Sequence, residues 1–115
     1  MIEVKKQAAQ GDVLFRRVAA LPEDARRVER SGALVVAHSE TGHHHTIRDA
    51  TGVVQYEHTD PLVCYLVAES LYMDVEHERP WDTHAPLRLL CPPGAIWEVR
   101  RQREHTPEGW RMVSD

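Results

Sequence analysis

The stretch Leu89-Leu90-Cys91-Pro92-Pro93-Gly94-Ala95-Ile96-Trp97-Glu98-Val99-Arg100 decides the fold. Pro92-Pro93-Gly94 removes two backbone donors and supplies a glycine, so it breaks the chain between two extended runs. After it, Trp97 and Val99 alternate with Glu98 and Arg100, the period of a strand with one face in a core. On that pattern Trp97 fills the core. Pro86 to Cys91 and Ala95 to Arg103 are therefore read as two long strands around a tight turn.

Turn signals followed by extended runs also mark the chain towards the N-terminus, with no internal sequence repeat. Gly11-Asp12 opens Val13 to Val18, Ser31-Gly32 opens Ala33 to His38, and Ala50-Thr51-Gly52 leads into Val53 to Glu57. Thr59-Asp60-Pro61 precedes the apolar run Leu62 to Ala68, and Leu71 to Val75 follows. A short closing strand is expected around Trp110 to Val113. Evenly spaced strands with Gly, Pro and Asp turns predict a small all-β barrel or sandwich of about eight short strands, a single domain over residues 1–115. Arg27 to Arg30 reads as a further strand, and the one helical alternative is Pro22 to Arg30, where proline followed by acids is a helix-start pattern.

Composition narrows the function classes. The 115 residues carry a net charge of −4, which argues against general nucleic-acid binding. Of the 14 basic residues only Lys5 and Lys6 are lysines, and arginine doublets at 16–17, 26–27 and 100–101 suit fixed ion pairs or an interface as well as phosphate; the acidic balance favours pairing of the strand-end arginines from Arg100 to Arg103 with Glu98, Glu104 and Glu108. No apolar run is long enough to span a bilayer, and Met1 to Gln10 lacks the apolar stretch of an export signal. The expected compartment is the cytoplasm, with Cys64 and Cys91 as reduced core thiols rather than a disulfide. Neither a nucleophile elbow nor a phosphate-binding glycine loop is present, so no catalytic residue is assigned.

The chemistry concentrates in histidine. The chain has 8, three of them in Thr41-Gly42-His43-His44-His45-Thr46. Along a strand His43 and His45 share a face and His44 takes the other, so His43 and His45 form half of a metal site. Glu40 and Asp49 are nearby carboxylates. Further ligands are sought in His84, at the end of the polar stretch from Glu76 to Ala85, and in His77, with Cys91 a lesser candidate. His38, His58 and His105 read as surface or turn residues. Imidazole ligands suit zinc, nickel, iron or copper.

Two resemblances bear on this. A glycine followed by His43-x-His45 and an acid, then Pro92-Pro93-Gly94 far downstream, resembles the two-part signature of cupins. It implies a small β-barrel holding a divalent metal, with Asp49 in the place of the first motif's glutamate. Trp97 stands where the second motif's histidine belongs, so the third ligand would come from His84 or His77. The segments Thr41 to His45, His84-Ala85-Pro86, Pro92-Pro93-Gly94 and Gln102 to Gly109 also resemble those of small uncharacterised bacterial proteins. That likeness implies that His43, His45 and His84 belong together.

The resulting expectation is a metal-binding β domain with His43, His45, His84 and His77 as candidate ligands, either catalytic or structural. The competing expectation is a non-enzymatic interaction module that self-associates or binds a protein partner. Trp81, in the polar loop, would then anchor the contact.

Overall fold

The computed structural model describes residues 1–29, 32–37, 44–77, 85–106 and 109–112, the last two strands by their backbone alone. His38, Glu40, His43, Trp81 and His84 lie outside the described residues. Among those described there are thirteen strands and no helix. In chain order they are β1 (Ile2–Val4), β2 (Gln7–Gln10), β3 (Val13–Val18), β4 (Arg26–Val28), β5 (Leu34–Ala37), β6 (His45–Ile47) and β7 (Val53–Glu57). There follow β8 (Val63–Ala68), β9 (Tyr72–His77), β10 (Leu87–Leu90), β11 (Ile96–Arg101), β12 (Arg103–Thr106) and β13 (Gly109–Met112).

Eleven strands form two sheets, ordered β1-β10-β9-β6-β5 and β2-β3-β11-β8-β7-β4, and β12-β13 is a separate hairpin. The all-β expectation holds, and of its two forms the molecule takes the sandwich, not a closed barrel. The helical alternative at Pro22 to Arg30 gives way to a turn and the short strand β4, which pairs antiparallel with β7.

The turn that divides β10 from β11 is built as its residues dictate. Ala95 N donates to Pro92 O at 2.9 Å, with Gly94 at φ 80°. Proline at the second place and glycine at the third suit a type II turn. It delivers β11 between β3 and β8, where Trp97 pairs with Arg17 on one side and Leu66 on the other. Trp97, Phe15 and Leu66 are all 0% exposed. Trp97 Nε1 donates to Leu90 O at 3.2 Å, so its one polar atom is satisfied inside the core.

Glu98 departs from simple alternation. It points to the outer face of its sheet, yet it is 5% exposed. The connection from β3 to β4 explains this, because it must pass β11, β8 and β7 to reach the far edge of the sheet. Leu21 and Pro22 are half-buried along it, and Asp24 meets His58 at 3.4 Å and Thr59 at 3.1 Å on the other side. Under this strap Glu98 takes Arg16 at 3.1 Å, Arg100 at 3.3 Å and the Tyr65 hydroxyl at 3.4 Å. The arginines at 16 and 100 are thus ion-pairing residues, as their doublets suggested.

Cys64 and Cys91 are free and buried. Burial pushes the Cys64 thiol from 9.0 up to about 12, with a hydrogen bond from Gln55 opposing the shift. In the unfolded chain this thiol ionises from pH 9.0, whereas in the fold it stays neutral to about pH 12. Its contribution to stability is complete below pH 9 and is lost as pH rises through that window, at about 1.4 kcal/mol per pH unit. Chemical denaturation between pH 8 and 11 should therefore show a falling stability, and Cys64→Ala should flatten the slope. Equal slopes for parent and variant would remove this account of the thiol.

Candidate functional site

The polar interior lies at one end of the sandwich. Gln10 closes β2 and pairs with Val13, leaving Gly11-Asp12 as a two-residue hairpin loop. Gly11 at φ 60° takes the first place of that loop, where a side chain would be strained. The turn folds inward: Gln10 is 2% exposed and Asp12 4%. Across the core β6 pairs with β9, with His45 directly opposite His77. Both histidines are 0% exposed.

Gln10 fixes the geometry. Its Nε2 donates to Val75 O of the opposing sheet and to Ala85 O just before β10, each at 3.0 Å, so both amide hydrogens are used. Its Oε1 lies 2.9 Å from His45 Nδ1. An amide oxygen only accepts, so the proton of that bond sits on His45 Nδ1. His45 Nε2, on the other side of the ring, lies 3.5 Å from Asp12 Oδ1. The second oxygen of Asp12 faces Arg101 Nη2, also at 3.5 Å.

The 3.5 Å between His45 Nε2 and Asp12 Oδ1 is informative. It exceeds the roughly 2.7–2.9 Å of a charge-assisted hydrogen bond. Two donors at about 2.0–2.2 Å from one tetrahedral ion stand roughly 3.3–3.5 Å apart.

His77 contributes differently. Its ring stacks on His45 with centroids 4.0 Å apart and planes inclined by 10°. Imidazole lone pairs lie in the ring plane, so in nearly parallel rings they run side by side and do not converge. The pairing across β6 and β9 thus makes His77 a wall for His45 in this arrangement. Asp49 is exposed, and its Oδ1 accepts from Thr51 N at 3.3 Å to shape the turn before β7. Trp97, at the position of the cupin histidine, is in the core. Among the described residues no group of three or more His, Cys, Asp or Glu is placed to hold a metal ion.

Sequence reasoning reached His45 and His77 and marked Arg101 only as part of a doublet, but it missed Gln10 and Asp12. Gln-Gly-Asp is an ordinary polar turn, and nothing in its spacing marks a turn that folds into the core.

Fold and site together define a β-sandwich with an imidazole–carboxylate pair buried at one end. The chain belongs to the family described as a domain of unknown function, DUF8820, whose model matches residues 9–102. That span includes Gln10, Asp12, His45, His77 and Arg101, and it stops before the β12-β13 hairpin. No curated protein and no solved structure matches the chain.

Gln10→Leu should cost about 3 kcal/mol, because it strips the acceptor from His45 and the donor from two buried carbonyls. Denaturant melts measure the loss, and long-range ¹H–¹⁵N correlation in metal-free protein reads the His45 tautomer. Parent protein with its proton on Nε2 would refute the Gln10 assignment, as would a leucine variant of unchanged stability.

Proposed function

We propose that this chain is a metal-binding β-sandwich, with His45 Nε2 as the anchoring ligand and Asp12 as its buried carboxylate partner. The observation that carries the reading is the 3.5 Å approach of those two atoms, with the imidazole proton committed to Gln10 on the far side. An outer hydrogen bond that sets the tautomer of a ligating histidine is a regular part of metal sites. The remaining ligands are His43, two residues before His45, and His84, next to Ala85. Ala85 O shares the Gln10 amide with His45, and covalent geometry keeps successive Cα atoms 3.8 Å apart. His77 supports the His45 ring from behind.

A shell of imidazoles with one carboxylate suits zinc, nickel, iron or copper. Three ligands with an open position would let the ion polarise a bound water or small molecule. The reading fits a cytoplasmic protein, where Cys64 and Cys91 remain reduced. No helix among the described residues is long and apolar enough to cross a membrane. Self-association is a second reading, supported by Leu71 and Tyr72, which are 74% and 45% exposed side by side at the start of β9. Light scattering across a concentration series tests it.

The metal reading is tested on untagged full-length protein by elemental mass spectrometry after dialysis against trace zinc, nickel, iron and copper. One equivalent per chain is expected, with binding lost in His45→Ala and weakened about tenfold or more in His43→Ala, His84→Ala and Asp12→Asn. His77→Phe, which keeps a ring against His45, should retain the metal. Absence of stoichiometric metal in the parent would end the reading. Retention by His43→Ala and His84→Ala would end only their assignment as ligands.

A further inference from the structure

The two outer faces of the sandwich differ. The strap from β3 to β4 crosses the six-stranded sheet and Glu98 is buried beneath it, whereas the outward residues of β1, β9 and β10 in the five-stranded sheet are exposed or half-buried. Register fixes which of these share a row. Glu3 of β1 stands beside Arg88 of β10, and Arg88 beside Asp74 of β9. On the next strand Arg48, one residue past β6, pairs with Glu76 of β9 at 2.6 Å. Strand by strand the signs run negative, positive, negative, positive.

The centre of the row is rigid. Arg88 Nε and Nη2 donate to the two oxygens of Asp74 at 2.8 and 3.0 Å, and its guanidinium carbon lies 3.9 Å from the centre of the Tyr72 ring. A bidentate pair stacked on an aromatic face has given up its rotamer freedom before a partner arrives, which lowers the cost of binding. Tyr72 is nevertheless 45% exposed and Leu71 74%, with Leu90 of β10 in register beside Tyr72. Tyrosine and arginine are the side chains that most often anchor protein interfaces.

An alternating row of even length is complementary to its own reverse. Consider two copies face to face, related by a twofold axis that runs along the strands between β9 and β10. That operation sets β10 over β9 of the second copy, and β1 over the end of its β6. Arg88 then meets Asp74 of the second copy, Glu3 meets Arg48, and Tyr72 meets Leu90. An axis across the strands would set each strand on itself and like charges together. A row of one sign would call for a different molecule; this one fits a copy of itself, as a closed isologous contact requires.

We propose that the outer face of β1, β10, β9 and the end of β6 binds a second copy of the chain as a twofold dimer. The inference rests on the self-association reading, supplies its surface and symmetry, and is independent of the metal. Exposed ion pairs add little affinity one by one, so the charges select partner and register while Leu71, Tyr72 and Leu90 supply the apolar contact. Strands about 4.8 Å apart and three to six residues long make a face on the order of 300 Å². A standard interface buries about 800 Å² per partner, so the dimer is a reversible one.

Sedimentation equilibrium on untagged full-length protein in EDTA, over a concentration series, reads the association. A monomer–dimer equilibrium is expected, weakened about tenfold by high salt. Tyr72→Ser, which leaves every charge in place, should weaken it about tenfold or more. Two further variants give the row a single sign: one carries Arg48→Glu and Arg88→Glu, the other Glu3→Lys and Asp74→Lys. Each should be monomeric alone, and the two should dimerise when mixed; circular dichroism confirms that each is folded. Parent protein that stays monomeric throughout overturns this inference together with the self-association reading. A parent dimer unchanged by Tyr72→Ser, or folded single-sign variants that do not associate on mixing, overturns the surface alone.

Discussion

One neutral side chain sets the arrangement on which the rest depends. Gln10 stands at the end of β2 in one sheet and gives its amide hydrogens to Val75 of the other sheet and to Ala85, just before β10. Its oxygen takes the Nδ1 proton of His45. The spacing of the sheets at that end, the tautomer of the imidazole and the direction of Nε2 all follow from this single amide. A glutamate could not do the same, because an ionised carboxylate has no hydrogen to give either carbonyl. A leucine would fill the volume and leave three buried polar atoms without their partner.

The polar end is not what holds the fold together. Trp97, Phe15, Leu66, Ile47 and Leu89 are fully enclosed in one apolar cluster, and each contributes roughly 1.5–3 kcal/mol through burial. Taking a carboxylate and a guanidinium out of water costs several kcal/mol per ion, and an apolar pair of the same volume often does as well or better. The 3.5 Å contact of Arg101 with Asp12 therefore contributes little beside that cluster.

The fold could be read from turns and alternation because both are local. Pro92-Pro93-Gly94 has few conformations open to it, and Trp97 and Val99 state their face within four residues. The first two strands were beyond that reach: Ile2–Val4 and Gln7–Gln10 span three and four residues, too few to show a period. Hence the expected eight strands fell short of the eleven in the two main sheets. Glu98 reads as a surface residue from alternation alone and is buried by a strap whose course depends on strand order. The site was legible in part for the same reason. His45 was visible within a run of imidazoles, but its partner His77 is fixed by the register of β6 against β9. Gln10 and Asp12 arrive from a hairpin whose sequence is that of any exposed turn.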